Sequence, residues 1–361
     1  MDVSVLVPVR NEAAHILDTV AAMRAQRFPG AVELLFADGE SDDDTRALLE
    51  RMATEDPRIR VFDNPSRQTP SGLNVCLRHA QGEYVARMDA HTYYPPDYLA
   101  LGVERLRQGG TEWVSGPAIP RPVGRVSRAV ALALQTWIGQ GGSRKWQSDA
   151  DADADERELD TGVFAGVWSR STVLRFGGWD ERWSVNQDAE MAARFLAAGC
   201  RLVLLPAMGA RYVPRDRLRS LWRQYWGYGY YRVQTSKRHP DSMRRSLLVT
   251  PLLVVTAGLA VVAPRGVRRA ARAGIVLYLA ALAQVATAAA RRHEDVGDVA
   301  LMPVALAAMH TGHGVGVLQG MVRFGPPWAA LLRVVGLGRL RSVKVSTGDG
   351  IDVFAPSLNA D

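Results

Sequence analysis

Short apolar runs alternate with helix-like segments over the first 90 residues of the chain. The run Val3–Val9 is almost entirely apolar, which is typical of a strand buried on both faces of a sheet. Repeated strand and helix units of this length predict an α/β fold, with a mostly parallel sheet flanked by helices. After the first strand we expect helices at 12–26, 42–55 and 71–80, and strands at 32–37, 59–62 and 84–88.

The last third of the chain carries three long apolar runs without a charged residue. They cover 246–263, 273–290 and 299–322, which is 18, 18 and 24 residues. A bilayer core is spanned by about 20 apolar residues, so the pattern predicts a C-terminal helical, membrane-associated region. Pro251 weakens the first run, and the arginines between the first two runs conflict with the positive-inside tendency if the first run spans. Buried core helices, or re-entrant and interfacial ones, are the alternatives.

Charge and composition also distinguish the last third of the chain from the rest. Residues 1–240 hold 31 basic and 30 acidic residues, whereas residues 241–361 hold 13 and 7. The excess positive charge flanks the apolar runs, which favours an anionic membrane surface over nucleic acid as the partner. Two cysteines exclude a disulfide scaffold and a multi-cysteine metal site. We expect an α/β domain at 1–240, a membrane region at 241–342 and a polar tail at 343–361.

The chain begins with a strand pattern and lacks the basic-then-apolar layout of a secretory signal. We therefore expect a cell-membrane protein whose N-terminal domain lies on the cytoplasmic side. Ligands of open parallel sheets bind at the carboxyl ends of the strands, so the residues after each strand are the candidates for chemistry. No G-x-G-x-x-G follows the first strand, which argues against a nicotinamide enzyme.

Carboxylates follow the second and fourth predicted strands. Asp38 ends the second strand, where it could accept hydrogen bonds from a base or a ribose, or simply precede an acid-capped helix. Asp89 and His91 follow the fourth strand and point the same way if the chain stays extended. An oxygen and a nitrogen ligand suit Mn²⁺ or a similar divalent ion, and the alternative is a surface aspartate beside a satisfied histidine. Asp188 lies at the start of a predicted amphipathic helix. It could act as a general base, or it could be an ordinary acidic residue in the first turn of a helix.

In this order, Pro8 to Glu12, Asp38 to Asp43, Asp89-Ala90-His91 and Gly178 to Asp188 resemble family 2 glycosyltransferases of the GT-A fold. The resemblance covers roughly residues 1–235. Within the family, the chain most resembles the succinoglycan-biosynthesis type of bacterial exopolysaccharide glycosyltransferase. The segments that carry this closer likeness are Arg87 to His91, Gln224 to Gly229, and His239-Pro240.

The resemblance implies a role for each matching residue. Asp188 would be the catalytic base, and a divalent metal, Mn²⁺ or Mg²⁺, would be held by Asp89 and His91. Two departures stand out: His91 replaces the usual aspartate, which leaves the metal identity open, and Gln187 replaces the usual glutamate before the base. The donor-binding residues implied are Pro8, Asn11, Glu12, Asp38, Asp43 and Asp89.

Aromatic and basic residues precede the apolar runs. Leu218, Leu221, Trp222 and Tyr225 share one helical face, which is typical of an interfacial helix, with a core helix or a nucleic-acid surface as alternatives. The Gln-x-x-Arg-Trp motif of processive synthases is absent, so we expect one sugar per binding event. Residues 148–160 are acidic and read as a solvated loop, or as a loop that closes over the acceptor. The expected acceptor-side residues are Asp160, Arg223, Gln224, Tyr225 and Trp226.

These features together predict a membrane-attached, metal-dependent, inverting glycosyltransferase. It would add a single sugar from a nucleotide-sugar donor, UDP-linked, to a polyprenyl-diphosphate-linked saccharide in exopolysaccharide or cell-envelope glycan synthesis. The alternatives are a polyprenyl-phosphate glycosyltransferase and a non-catalytic GT-A-like membrane scaffold. The expected partners are the donor, the lipid-linked saccharide and the membrane, without nucleic acid, and the oligomeric state stays open.

Overall fold

The computed structural model describes residues 1–141, 155–163, 165–292 and 295–336. Within these ranges, two compact units are distinguished. The first comprises residues 1–119 and 155–212, and the second residues 120–141 and 213–336. Most of the predicted acidic loop and the predicted polar tail at 343–361 lie outside the described residues. The proposed domain boundaries stay predictions.

A mostly parallel sheet forms the frame of the first unit. In the described part of the chain it has eight strands in the order β3-β2-β1-β4-β9-β6-β10-β8, and a smaller sheet has the order β5-β11-β7. The β1–β2, β1–β4, β2–β3 and β6–β10 pairs are parallel, whereas β9 is antiparallel to both β4 and β6. The strands are β1 (Val3–Val9), β2 (Val32–Asp38), β3 (Ile59–Asp63), β4 (Tyr84–Arg87), β5 (Thr92–Tyr93), β6 (Trp113–Ser115), β7 (Ala118–Pro120), β8 (Arg157–Glu158), β9 (Gly166–Ser169), β10 (Leu202–Leu204) and β11 (Ala210–Tyr212).

Helices cover both faces of the large sheet, as the sequence predicts. Alternate residues of β1 point to opposite faces, so Val5 joins one buried cluster with Ile16, while Leu6 joins the other with Leu73 and Trp168. All five side chains are buried, and each such burial contributes about 1.5–3 kcal/mol. The helices of this unit are α1 (Ile16–Arg24), α2 (Thr45–Glu55), α3 (Thr69–His79), α4 (Tyr98–Arg107), α7 (Arg170–Arg175) and α8 (Gln187–Ala197).

The second unit is helical, and glycines allow a close crossing of two of its helices. Its helices are α5 (Arg125–Leu134), α6 (Trp137–Gln140), α9 (Leu218–Arg238), α10 (Val249–Val262), α11 (Arg265–Ala290), α12 (Val296–Phe324) and α13 (Trp328–Val334). A Cβ at Gly316 of α12 would lie 2.1 Å from the carbonyl oxygen of Trp226 in α9, and one at Gly229 would lie 2.1 Å from that of His313. The two backbones can therefore approach this closely only because these positions lack side chains. Helix α9 is thus packed against α12 on one side, while Arg223 on α9 is exposed.

Within the described residues, three helical segments are long and apolar enough to cross a membrane. They are Arg245–Val262, Arg265–Ala290 and Val296–Phe324, of 18, 26 and 29 residues. The first two expose large apolar side chains, among them Leu252 at 65% and Leu277 at 72%. Apolar surface of this extent is unfavourable in water and favourable in contact with lipid, so the finding supports the predicted membrane association. The side of the membrane stays a prediction.

Candidate active site

The loops after β1 and β2 hold each other through backbone and side-chain hydrogen bonds. Asn11 adopts a left-handed conformation with φ of 56°, which asparagine tolerates better than most residues. Its amide donates to the Ser41 hydroxyl at 3.0 Å, and its side-chain oxygen accepts from the Asp42 amide at 2.8 Å. The Glu12 amide donates to the Thr45 hydroxyl at 2.8 Å. These bonds fix the shape of the predicted nucleotide pocket at the carboxyl edge of the sheet.

The two predicted acids of the second loop have different surroundings. Asp38 is buried at the end of β2 and accepts hydrogen bonds from the Ser41 hydroxyl at 2.5 Å and amide at 3.3 Å. Asp43 accepts from the Thr45 hydroxyl and amide and from the Ala13 amide, at 2.5, 3.0 and 3.1 Å. The bond from the Thr45 hydroxyl is the main reason that the pKa of Asp43 is lowered. Asp43 thus ties α2 to the β1 loop.

Arg87, the last residue of β4, joins the two carboxylates that the resemblance assigns to donor binding and to catalysis. Its Nε and Nη2 donate to the two oxygens of Asp89 at 2.8 and 3.0 Å, and its Nη1 donates to Oδ1 of Asp188 at 2.6 Å. The three side chains are 5%, 14% and 17% exposed, respectively. Burial alone would lower the pKa of Arg87, but the charges of Asp188 and Asp89 outweigh it and raise the pKa.

The strand end that carries Asp89 rests on buried tyrosines. The Asp89 amide donates to the Tyr94 hydroxyl at 2.8 Å, and Tyr94 packs edge-on against Tyr98 with ring centres 4.8 Å apart. Burial raises the pKa of Tyr94, followed by the nearby charge of Asp89, so the hydroxyl stays neutral. Two contacts therefore position Asp89. Its backbone amide donates to a neutral hydroxyl, and its carboxylate accepts from a guanidinium.

His91 lies beside the first loop. Its Nδ1 is 3.1 Å from Oε1 of Glu12, and about half of its side chain is exposed. Within the described residues, no group of three or more His, Cys, Asp or Glu side chains could hold a metal ion. Asp89 and His91 nevertheless offer one oxygen and one nitrogen ligand. Divalent ions at phosphate-transfer sites often take only one or two protein ligands and complete their shell with phosphate and water, so the donor set fits such an ion.

Asp188 sits in the first turn of α8, and several contacts position that turn. Glu190 is fully buried and binds the Arg194 guanidinium through both of its oxygens, at 3.0 and 2.9 Å. Arg194 in turn donates to the carbonyl of Gly178 at 2.8 Å. A Cβ on Gly162 would lie 2.3 Å from the carbonyl oxygen of Asp188, so this position admits only glycine. The base candidate is thus held by an extended buried network.

The predicted acceptor-side residues occupy two different places. Asp160 is exposed after β8 in the first unit. The others lie on α9 in the second unit, where Trp226 donates to the Gln319 side chain at 2.6 Å and stacks on Tyr230 with ring centres 5.0 Å apart. These contacts give Trp226 a packing role within the helical unit. Acceptor contact by Asp160, Arg223, Gln224, Tyr225 and Trp226 stays a prediction.

Sequence reasoning missed Arg87 and Tyr94 as parts of the site. Arg87 stands two positions before Asp89, so period-two alternation could have placed both side chains on one side. The link to Asp188, 101 residues further along the chain, carries no sequence signal. Pro8 lies within β1 opposite Ala37 of β2, at the edge where the two loops begin.

Comparisons with known proteins place the chain in a family and a fold. Residues 4–156 match the model of the family described as Glycosyl transferase family 2. The chain is 32% identical over 287 residues to the succinoglycan biosynthesis protein ExoA of Rhizobium meliloti (strain 1021), covering 76% of this chain and 85% of that protein. It is 22% identical to a dolichyl N-acetyl-alpha-D-glucosaminyl phosphate 3-beta-D-2,3-diacetamido-2,3-dideoxy-beta-D-glucuronosyltransferase of Methanococcus voltae, covering 63% of this chain and 71% of that protein.

A solved structure shares the fold. The mannosyltransferase PcManGT from Pyrobaculum calidifontis, in complex with GDP-Man and Mn²⁺, aligns with a TM-score of 0.53 and 20% identity over 86% of each chain. At this identity the likeness concerns the fold alone. It confirms the GT-A architecture that the sequence predicts.

Proposed function

Because the chain belongs to family 2 of the glycosyltransferases, we propose that it transfers a single sugar from a UDP-linked donor to a polyprenyl-diphosphate-linked saccharide in exopolysaccharide or cell-envelope glycan synthesis. The observation that carries the proposal is the bridge from Arg87 to both Asp89 and Asp188. It joins a donor-side carboxylate and a base candidate at one edge of the sheet. The name of the Rhizobium relative supports a role in polysaccharide synthesis.

Asp188 would act as the general base. The acceptor hydroxyl has a pKa far above 7, so its attack requires a group that takes the proton as the new bond forms. The acceptor oxygen then bonds to the anomeric carbon, the bond from that carbon to the diphosphate oxygen breaks, and the nucleoside diphosphate leaves with the electron pair. This single displacement inverts the anomeric configuration. A positioned base contributes about 10²–10⁴-fold to such a rate.

The donor would lie against the carboxyl ends of β1, β2 and β4. Asp38 would accept a hydrogen bond from the base, and Glu12 would lie near the ribose, with Pro8, Asn11 and Asp43 shaping the pocket. Asp89 and His91 would hold a divalent ion, Mn²⁺ or Mg²⁺, which supplies positive charge beside the departing diphosphate. The complex of the Pyrobaculum enzyme with GDP-Man and Mn²⁺ supports this assignment by analogy of fold.

The acceptor would reach the enzyme from the membrane. The three apolar helices support membrane attachment, and the name of the Methanococcus relative supports a lipid-phosphate-linked acceptor. Catalysis would take place on the cytoplasmic side, where nucleotide sugars are made. The predicted acceptor contacts on α9, and Asp160, belong to this part of the proposal.

The test is nucleotide release by the purified full chain in detergent, with UDP- and GDP-sugars, with and without Mn²⁺ and with membrane extract as a source of acceptor. We expect metal-dependent transfer that falls by about 10²–10⁴-fold in Asp188→Asn, with nucleotide affinity retained. Asp18→Asn, an exposed acid in α1, is the matched control and should keep full activity. Absence of both transfer and nucleotide binding in the unaltered chain would instead support the scaffold alternative.

A further inference from the structure

The chain turns between the two candidate metal ligands instead of staying extended. The Thr92 amide donates to the carbonyl of Asp89 at 3.2 Å, and Ala90 and His91 lie in the turn that this bond closes. Side chains alternate between two faces only along an extended strand, so alternation does not orient His91 here. The direction of the His91 ring therefore depends on its tertiary contacts.

Buried side chains fix the main chain of this turn. The Thr19 hydroxyl of α1 donates to the carbonyl of Ala90, and the Asp89 amide donates to the Tyr94 hydroxyl at 2.8 Å. Thr19 is 3% exposed, so its bond is shielded from competition with water. These bonds hold the main chain just before His91 and do not involve its ring.

Glu12 contacts the ring of His91. Its Oε1 lies 3.1 Å from Nδ1 of His91, and the Glu12 side chain is 19% exposed. A carboxylate oxygen only accepts hydrogen bonds, so Nδ1 carries the proton in this contact and Nε2 carries the lone pair. A histidine that binds a metal through one ring nitrogen almost always donates from the other, commonly to a carboxylate. Glu12 and His91 have this arrangement.

Main-chain bonds hold Glu12 in place for this contact. Its amide donates to the Thr45 hydroxyl at 2.8 Å, and its carbonyl accepts from the amides of His15 and Ile16, both at 2.8 Å. Glu12 is thus tied to the start of α2 and to the start of α1 through its main chain. Its side chain is left to act on His91, and replacing that side chain does not remove these bonds.

We propose that Glu12 is a positioning residue for His91: it fixes the Nδ1–H tautomer and presents Nε2 to the divalent ion, and this nitrogen ligand makes the site favour Mn²⁺ over Mg²⁺. No group of three metal-ligating side chains is found within the described residues, so Glu12 acts through His91 and not as a third ligand. Mg²⁺ is bound through oxygen, whereas transition-metal ions also accept imidazole nitrogen. The inference rests on the proposed function for the presence of an ion beside the donor diphosphate.

The test is the affinity of the purified full chain in detergent for Mn²⁺ in the presence of UDP, measured from the EPR signal of the unbound ion. Loss of the group that orients a metal-binding histidine typically weakens the affinity by about 10–100-fold, and we expect this for Glu12→Ala. Glu12→Gln keeps an oxygen that can accept from Nδ1 and should lose only about 2–5-fold. Glu50→Ala is the matched control, because it removes an exposed acid of α2 that pairs with Arg46. Equal affinities in Glu12→Ala and Glu50→Ala would overturn the proposal.

A double-mutant cycle distinguishes action through His91 from a direct contact with the nucleotide. If Glu12 acts through His91, Glu12→Ala should change the Mn²⁺ affinity by no more than about 2-fold when His91→Ala is already present. The same loss in both backgrounds would refute the positioning role. A loss of UDP affinity of that size in the absence of metal would assign Glu12 to the nucleotide and would also refute it.

Two measurements on His91 test the proposal even if a Glu12 variant fails to fold. Electron spin echo envelope modulation of the Mn²⁺–UDP complex of the unaltered chain should show a directly bound imidazole nitrogen, and His91→Asp should abolish that signal. The ratio of Mn²⁺ affinity to Mg²⁺ affinity should fall by about tenfold or more in His91→Asp, which offers only oxygen. Absence of the nitrogen signal in the unaltered chain, or an unchanged ratio, would refute the nitrogen ligand and with it the role of Glu12.

Metal binding and sugar transfer are measured separately, so the two proposals can fail separately. Sugar transfer with a Mn²⁺ affinity that does not depend on Glu12 would refute the positioning role and leave glycosyl transfer standing. Mn²⁺ binding that depends on both Glu12 and His91, without transfer to any acceptor in a membrane extract, would support the positioning role and contradict the proposed function.

Discussion

Replacement of Arg87 by methionine tests the buried bridge on which the candidate active site depends. The substitution keeps most of the side-chain volume but removes three charge-assisted hydrogen bonds to Asp89 and Asp188. It leaves two carboxylates, 14% and 17% exposed, without the cation between them. Removal of one partner from a buried ion pair typically costs about 3–5 kcal/mol, and we expect Arg87→Met to fall in this range.

The loss can be measured as the midpoint of thermal unfolding of the full chain in detergent. For a domain of about 150–250 residues, 1 kcal/mol shifts the midpoint by roughly 2–4 °C, so the expected decrease is about 6–20 °C. Arg182→Met is the matched control, because Arg182 is 67% exposed and pairs with Asp180 at 2.6 Å. A pair of this kind contributes about 0.2–1 kcal/mol. Equal shifts in the two variants would show that the bridge lacks the stability assigned to it.

Arg87→Met should also lower the transferase activity. A misplaced reacting group costs about 10²-fold, so transfer by Arg87→Met at a temperature where it is folded should fall by at least that factor. Arg87→Lys keeps the charge but cannot contact both oxygens of Asp89 and also Asp188, because lysine lacks the planar fork. It should therefore recover part of the stability and little of the activity.

A double-mutant cycle isolates the contact between Arg87 and Asp188. In Asp188→Asn the second carboxylate is neutral, so the loss of the guanidinium leaves one fewer unpaired charge. We expect the two substitutions together to cost less than the sum of the single ones, with a coupling energy of about 0.5–3 kcal/mol. Additive effects within about 0.5 kcal/mol would refute the reasoning, since they would mean that the 2.6 Å contact has no energetic consequence.

Two further predictions concern stability. The hydrogen bond from Arg58 lowers the pKa of Asp56 to about 2, so its stabilising contribution is complete above about pH 4 and is lost as the pH falls towards 2. After allowance for solvent screening, Asp56→Asn should lower the free energy of unfolding by about 1 kcal/mol at pH 7 and by nearly nothing at pH 2, as measured by urea unfolding. A loss of stability that does not depend on pH would contradict this account. Gly316→Ala places a Cβ 2.1 Å from the Trp226 carbonyl oxygen and should destabilise the helical unit by about 1–3 kcal/mol in thermal unfolding. Gly258→Ala on α10, where nothing lies within 4 Å, should be neutral or stabilising, and equal effects of the two alanines would argue against the close helix crossing.

Element boundaries show where local pattern and tertiary contacts compete. The predicted strand Val3–Val9 is confirmed residue for residue, because a run buried on both faces admits few alternatives. The helix predicted from residue 12 begins only at Ile16, since the preceding residues are tied to the β2 loop by hydrogen bonds. The helix predicted from residue 42 likewise begins at Thr45, after Asp43 has bonded to two separate segments. Loop-to-loop bonds of this kind leave no trace in hydrophobic periodicity.

The sequence by itself determined the fold class, the family and the apolar helices. Hydrophobic periodicity indicates which residues are buried, and acidic residues that directly follow strands indicate the carboxyl edge of a parallel sheet. Tertiary structure alone decided that β9 enters the sheet antiparallel beside β4, that Arg87 reaches Asp188, and that Gly316 of α12 meets α9. Each of these joins segments that are far apart in the chain. Such contacts depend on how the chain folds back on itself, and local composition and spacing do not encode that path.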